Sequence, residues 1–184
     1  MDVDIQVATM VADATDVAAY IAAGRDLELA DEDGATPLFH AAFWAHENIA
    51  TLLLDAGANV NHQRTDGYTA LMVACRNNQP KLVRLFIASG ADLGLTEETG
   101  DTALHWAYRS KANKCIEALL AAGADPAARN AHGLVPCEVE GTGVDRPDAD
   151  LDVADSGGAD SDDSDDAKSA GDDSTVVCKN DVQE

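Results

Sequence analysis

Aromatic side chains make up only 4% of the 184 residues, which argues against a sandwich or barrel whose layers are filled by large rings. No apolar run reaches the roughly 18 residues that a membrane-crossing helix needs. Basic residues are also few: 12 Lys and Arg stand against 34 Asp and Glu, for a formal charge of −22. The opening MDVDIQVATMVADATD carries acids where a secretory or mitochondrial leader would carry Lys or Arg. The sequence therefore predicts neither export nor an anchor, and a cytoplasmic or nuclear location. Its four cysteines, Cys75, Cys115, Cys137 and Cys178, form no CxxC and have no paired histidine ligands. Reduced thiols are expected, with no metal site and no cofactor.

The acids are unevenly placed. Residues 145–184 hold 14 acids and three bases, residues 1–63 hold 11 acids and one base, and residues 64–129 hold seven acids and eight bases. A nearly neutral island thus lies between two acidic ends. A nucleic acid would be repelled by most of this surface, so neither a nucleic acid nor a membrane is expected as partner.

What the chain has in abundance is a period. Gly34, Gly67, Gly100 and Gly133 are 33 residues apart, and Gly24, Gly57, Gly90 and Gly123 form a second ladder with the same step. In register, the units begin DGATPLFHAA (33–42), DGYTALMVAC (66–75), TGDTALHWAY (99–108) and HGLVPCEVEG (132–141). The first three continue into IATLLLDAGANVN (49–61), LVRLFIASGADLG (82–94) and CIEALLAAGADPA (115–127). Thr36, Thr69 and Thr102 carry the hydroxyl that accepts an orphan N–H at a helix start, and Pro37 supplies the fixed φ favoured one position on. Leu38, Leu71 and Leu104 then point inward, followed by Ala41, Ala74 and Ala107, small enough for a neighbouring helix to come close. The second block is a short helix closed by a glycine where the chain turns left-handed. Such a two-helix unit cannot bury its apolar faces alone; stacking supplies the core.

These residues resemble the ankyrin-repeat family, whose 33-residue unit starts G-x-T-P-L-H-x-A and ends L-L-x-x-G-A-D-V-N. The resemblance covers about residues 5–141 and implies an all-α solenoid of helix-turn-helix units with short hairpin loops. The expected division is an N-terminal capping repeat (1–30), ankyrin repeats at 31–63, 64–96 and 97–129, a truncated C-terminal repeat (130–141) and a disordered acidic tail (142–184). In the truncated unit Val135 replaces the capping Thr and Gly141 ends the first helix. The glycine that the family often places between its two helices is replaced by Ala45, Asn78 and Lys111, of which only Asn78 tolerates positive φ comfortably. By the same resemblance His105 bonds the Thr102 hydroxyl in a helix-start turn, and Trp106 packs on an adjoining repeat.

The tail, rich in Asp, Ser and Gly, cannot bury enough area to offset the entropy of ordering. Asp148, Asp150 and Asp152 imitate the start of a calcium loop, but Val153 and Ala159 stand where Gly and Glu are needed. Ser161, Ser164 and Ser169 lie among acids, a setting for acidophilic kinases. No nucleophile elbow, phosphate loop or HExxH is present, so no enzyme is expected.

The resemblance implies a monomeric protein-interaction module that receives an unknown partner protein on a concave face. Its candidate contact residues are Phe43, Trp44, Tyr68, Arg76, Asn77, Asp101, Arg109 and Ser110. Exposed aromatics beside arginines are the composition of binding hot spots. Arg76, Arg109, Lys81, Lys114, Arg84 and Lys111 are expected to form one basic strip, open to an acidic partner or to the chain's own tail. The competing reading is an acidic electrostatic shield or chaperone for basic proteins such as histones.

Overall fold

A computed structural model describes residues 5–11 and 13–139. The acidic tail, the Asp148–Asp152 motif and the three tail serines lie outside these residues. The described part is built of helices, with one isolated bridge between Thr96 and Thr102. Four helix pairs follow in order: α1 (Ile5–Met10) with α2 (Ala14–Ala22), α3 (Pro37–Phe43) with α4 (Glu47–Asp55), α5 (Ala70–Arg76) with α6 (Pro80–Ala88), and α7 (Ala103–Arg109) with α8 (Asn113–Ala121). A single 3-10 turn, Pro136–Glu138, closes the described chain.

The threonines start the helices as their chemistry dictates. The Thr36 and Thr69 hydroxyls accept the Phe39 and Met72 N–H groups at 3.4 and 3.3 Å, and Pro37 opens α3. In the last unit Val135 has no hydroxyl to offer. Glu138 compensates from the other side by accepting the Val135 N–H at 3.1 Å. Asp13 caps α2 through the Thr15 and Asp16 N–H groups.

Packing follows from the size of the side chains. The odd-numbered helices stack on one another, and so do the even-numbered ones, making two layers of short helices. Leu38, Leu71 and Leu104 fill the seam, and Ala41, Ala74 and Ala107 are fully buried where the odd-numbered helices approach. The even layer adds Ile49, Leu53, Leu82, Phe86, Ile116 and Leu119. Cys75 and Cys115 are buried free thiols in this core; burial pushes both thiols up, Cys75 more strongly.

Between units the chain folds back in hairpins that repeat with the same 33-residue step. Within each, the amide of the first residue donates to the carbonyl four residues on: Asp31 to Ala35, Arg64 to Tyr68, Glu97 to Asp101 and Asn130 to Leu134. Neighbouring hairpins are bonded through Thr65 N–H to Asp33 O, Glu98 N–H to Asp66 O and Ala131 N–H to Thr99 O, at 3.1, 3.1 and 2.9 Å. The turns permit this closeness only with glycine. At Gly100 (φ +77°) a Cβ would stand 2.7 Å from the Ala131 nitrogen, and at Gly67 (φ +84°) 2.8 Å from the Glu97 Cα.

The turns between paired helices keep a left-handed residue although no glycine is there. Ala45, Asn78 and Lys111 have φ of 60°, 52° and 55°.

Candidate recognition surface

The odd-numbered helices end in one register: Met10, Phe43, Arg76 and Arg109 at the last helical position, then Val11, Trp44, Asn77 and Ser110. Each end is tied to its neighbour. The His46 ring bonds the Met10 carbonyl at 3.2 Å, and the Asn77 side-chain amide donates to the Phe43 carbonyl at 3.3 Å. Phe43 and Trp44 meet edge to face with centroids 5.1 Å apart. Phe43 is half-buried against the core, while Trp44 is exposed. Asn77 is exposed and Ser110 half-buried.

Trp106 organises the C-terminal half of this row. Its ring lies 5.2 Å from the Tyr68 ring, and the guanidinium groups of Arg76 and Arg109 stand 5.8 and 4.6 Å from its centroid. Cations over an indole are attracted by its quadrupole. Trp106 is 6% exposed and its Nε1 is buried with no hydrogen-bond partner, so packing and the two cations hold the ring. Arg109 also donates to the fully buried Asp101 carboxylate at 2.6 Å. The Asn130 side-chain amide donates to the same carboxylate at 2.7 Å, which links the row to the final hairpin.

Tyr68 and Asp101 therefore differ from the expectation that they face a partner. The Trp106 ring packs on Tyr68, leaving it 5% exposed, and Asp101 is consumed by Arg109 and Asn130. Both position other side chains. The single basic strip is also divided. Arg76 and Arg109 lie on α5 and α7 beside Trp106, whereas Arg84 and Lys114 line an open groove between α6 and α8. Lys81 pairs with Glu47 at 3.4 Å, both largely exposed. Repetition aligns each pair along the stack, but the alternate helices of a unit carry them to different layers.

The histidines take structural bonds. The Thr102 N–H and hydroxyl lie 3.1 and 2.9 Å from His105 Nδ1, and Nε2 donates to the Leu134 carbonyl at 3.2 Å. This network assigns the proton to Nε2 and occupies both nitrogens. His40, at the register of Trp106, turns to its own hairpin and donates to Asp31 at 2.9 Å. Burial raises the Asp31 carboxyl, but the Ala35 N–H and the His40 imidazole outweigh it and hold it below its ordinary value. Among the described residues no three His, Cys, Asp or Glu side chains are grouped to hold a metal ion, and no helix is long and apolar enough to cross a membrane.

Period, caps, paired helices and stacked hairpins define a repeat solenoid. The family model for ankyrin repeats in three copies matches residues 57–130, and the single ankyrin-repeat model matches residues 33–65. The chain belongs to the ankyrin-repeat family. Proteins of this family generally serve as protein–protein interaction modules. No curated protein matches the chain.

Proposed function

We propose that this protein is a non-enzymatic adaptor or regulator that binds a partner protein on the concave face formed by the ends of its odd-numbered helices, with its acidic tail modulating the contact. The observation that carries this reading is Trp44. It is a large aromatic, 38% exposed, braced edge to face by Phe43 on a rigid stack. An ordered aromatic anchor loses little conformational freedom on binding, and anchors of this kind dominate interface energies. Asn77, Arg76 and Arg109 continue the same row, held in place before any partner arrives, and Ser110 follows Arg109.

The rival reading is an acidic shield for basic proteins, carried by the −11 of residues 145–184 and the −10 of residues 1–63. Trp44→Ala and deletion of 145–184 separate the two when partners are recovered from the native cell over a salt series. Recognition by the helix ends predicts at least tenfold weaker recovery for Trp44→Ala and retention without the tail. Loss with the tail, together with loss near physiological salt, would replace this reading with the shield, because exposed charge pairs are screened over about 8 Å there.

A further inference from the structure

Five large apolar side chains are exposed among the described residues, Val7, Met10, Val11, Leu29 and Trp44, and all fall in the first two units. Val7, Met10 and Val11, at 54%, 45% and 73% exposure, are spaced i, i+3, i+4, which puts them on one face of α1 and its end. Val11 and Trp44 hold the same position in successive units, and the His46 bond to the Met10 carbonyl ties the end of α1 to the turn that follows Trp44. The Gln6 side-chain amide donates to the Leu29 carbonyl at 3.1 Å, which joins the same helix to the chain entering the first hairpin. Exposed apolar side chains gathered in this way mark an interaction site.

The margins of this face are acidic. Asp13 and Asp16 follow Val11 closely in the chain, and Glu32 and Asp33 sit in the hairpin that Leu29 leads into. All four are exposed. Asp13 uses Oδ1 to cap α2, whereas Asp16, Glu32 and Asp33 enter none of the ion pairs of the described residues. Arg25, the single base of residues 1–63, lies over the Tyr20 ring of α2. Like charge therefore disfavours two occupants. A second copy would bring 11 acids and one base of its own residues 1–63 against this face, and residues 145–184, with 14 acids and three bases, carry the same sign.

We propose that the face built from Val7, Met10, Val11 and Trp44 docks a short partner segment whose apolar side chains are flanked by Lys or Arg, which rests on the reading of the odd-numbered helix ends as the recognition surface and adds the chemistry of what they receive. From Val7 to Val11 α1 rises about 6 Å, and the step to the next stacked helix is about 8–10 Å. One or two turns of an amphipathic helix cover that area. The apolar centre supplies affinity through area removed from water. The carboxylates at its margin select basic flanks and act at short range, since salt screens them over about 8 Å at physiological strength.

Fluorescein-labelled peptides test this on the full chain by anisotropy. The reference peptide carries leucines at i, i+3 and i+4 with two lysines on each side; one control replaces Lys with Glu and the other replaces Leu with Ser. The reference should bind at least tenfold more tightly than either, and added salt should narrow its lead over the glutamate peptide only. Val7→Ser with Val11→Ser, both at exposed positions, should cut the advantage of leucine over serine at least threefold. Asp16→Asn, Glu32→Gln and Asp33→Asn together should shrink the advantage of lysine over glutamate and leave that of leucine unchanged. Equal or tighter binding of the glutamate or serine peptide to the unaltered chain overturns the proposal, so the answer does not depend on how any variant folds. A dimer in light scattering that Val7→Ser with Val11→Ser dissolves also overturns it, by assigning the face to a second copy. If the glutamate peptide binds more tightly while Trp44→Ala still loses native partners, the recognition reading survives and only the partner chemistry falls. If the serine peptide equals the reference and Trp44→Ala keeps its partners, both fall.

Discussion

Lys111 holds a left-handed backbone, φ 55°, with a long side chain, and Ala45 does the same at 60°. The left-handed region costs a non-glycine residue about 1–2 kcal/mol, part of which glycine would return as added freedom of the unfolded chain. Lys111→Gly and Ala45→Gly should each raise stability by about 0.5–1 kcal/mol, read as a shift of the urea midpoint at unchanged slope. Asn78→Gly should gain less, because asparagine is at ease there. An unchanged or lowered midpoint for Lys111→Gly would mean that the turn is set by the side chain. At these positions the sequence left the turn open, since residue type favoured left-handed φ only at Asn78, whereas all three residues adopt it. At Thr102 and His105 local chemistry sufficed, because cap and imidazole lie three residues apart and bond within one turn.

Helices and hairpins were legible wherever the signal is local and repeated. The two glycine ladders, the Thr caps and the Leu–Ala spacing placed three of the helix pairs. Partnership across units was less legible. Nothing near Tyr68 or Asp101 in sequence says that an indole 38 residues later covers the first, or that Asn130 completes the shell of the second. The apolar face of α1 was also missed, because that unit lacks the Thr start that sets the register elsewhere; counting 33 residues back from Phe43 and Trp44 finds Met10 and Val11. The hairpin ladder makes an element-level prediction. Gly100→Ala places a methyl against the Ala131 nitrogen in a backbone region that strains alanine, and should destabilise by about 2–4 kcal/mol. Gly123, where a Cβ meets nothing within 4 Å, carries only the conformational part, so Gly123→Ala should cost about 1–2 kcal/mol. Equal losses in thermal or urea unfolding would show that close stacking of hairpins adds nothing.

On the scale of the whole molecule, helix pairs bonded to their neighbours at both hairpins and helix ends form a stiff row, and stability is shared along such a stack as nearest-neighbour terms. In the proposed role rigidity is the useful property, because side chains fixed at one-unit intervals bind without further ordering cost. The central claim is that partners meet the ends of the odd-numbered helices. Its most direct test is a set of photo-reactive amino acids placed singly at Val11, Trp44, Asn77 and Ser110, and, on the other layer, at Lys81, Lys114 and Glu117, in protein expressed in its native cell. The account predicts partner crosslinks from the first four positions and background from the last three. Crosslinks of equal or greater yield from Lys81, Lys114 and Glu117 would contradict it.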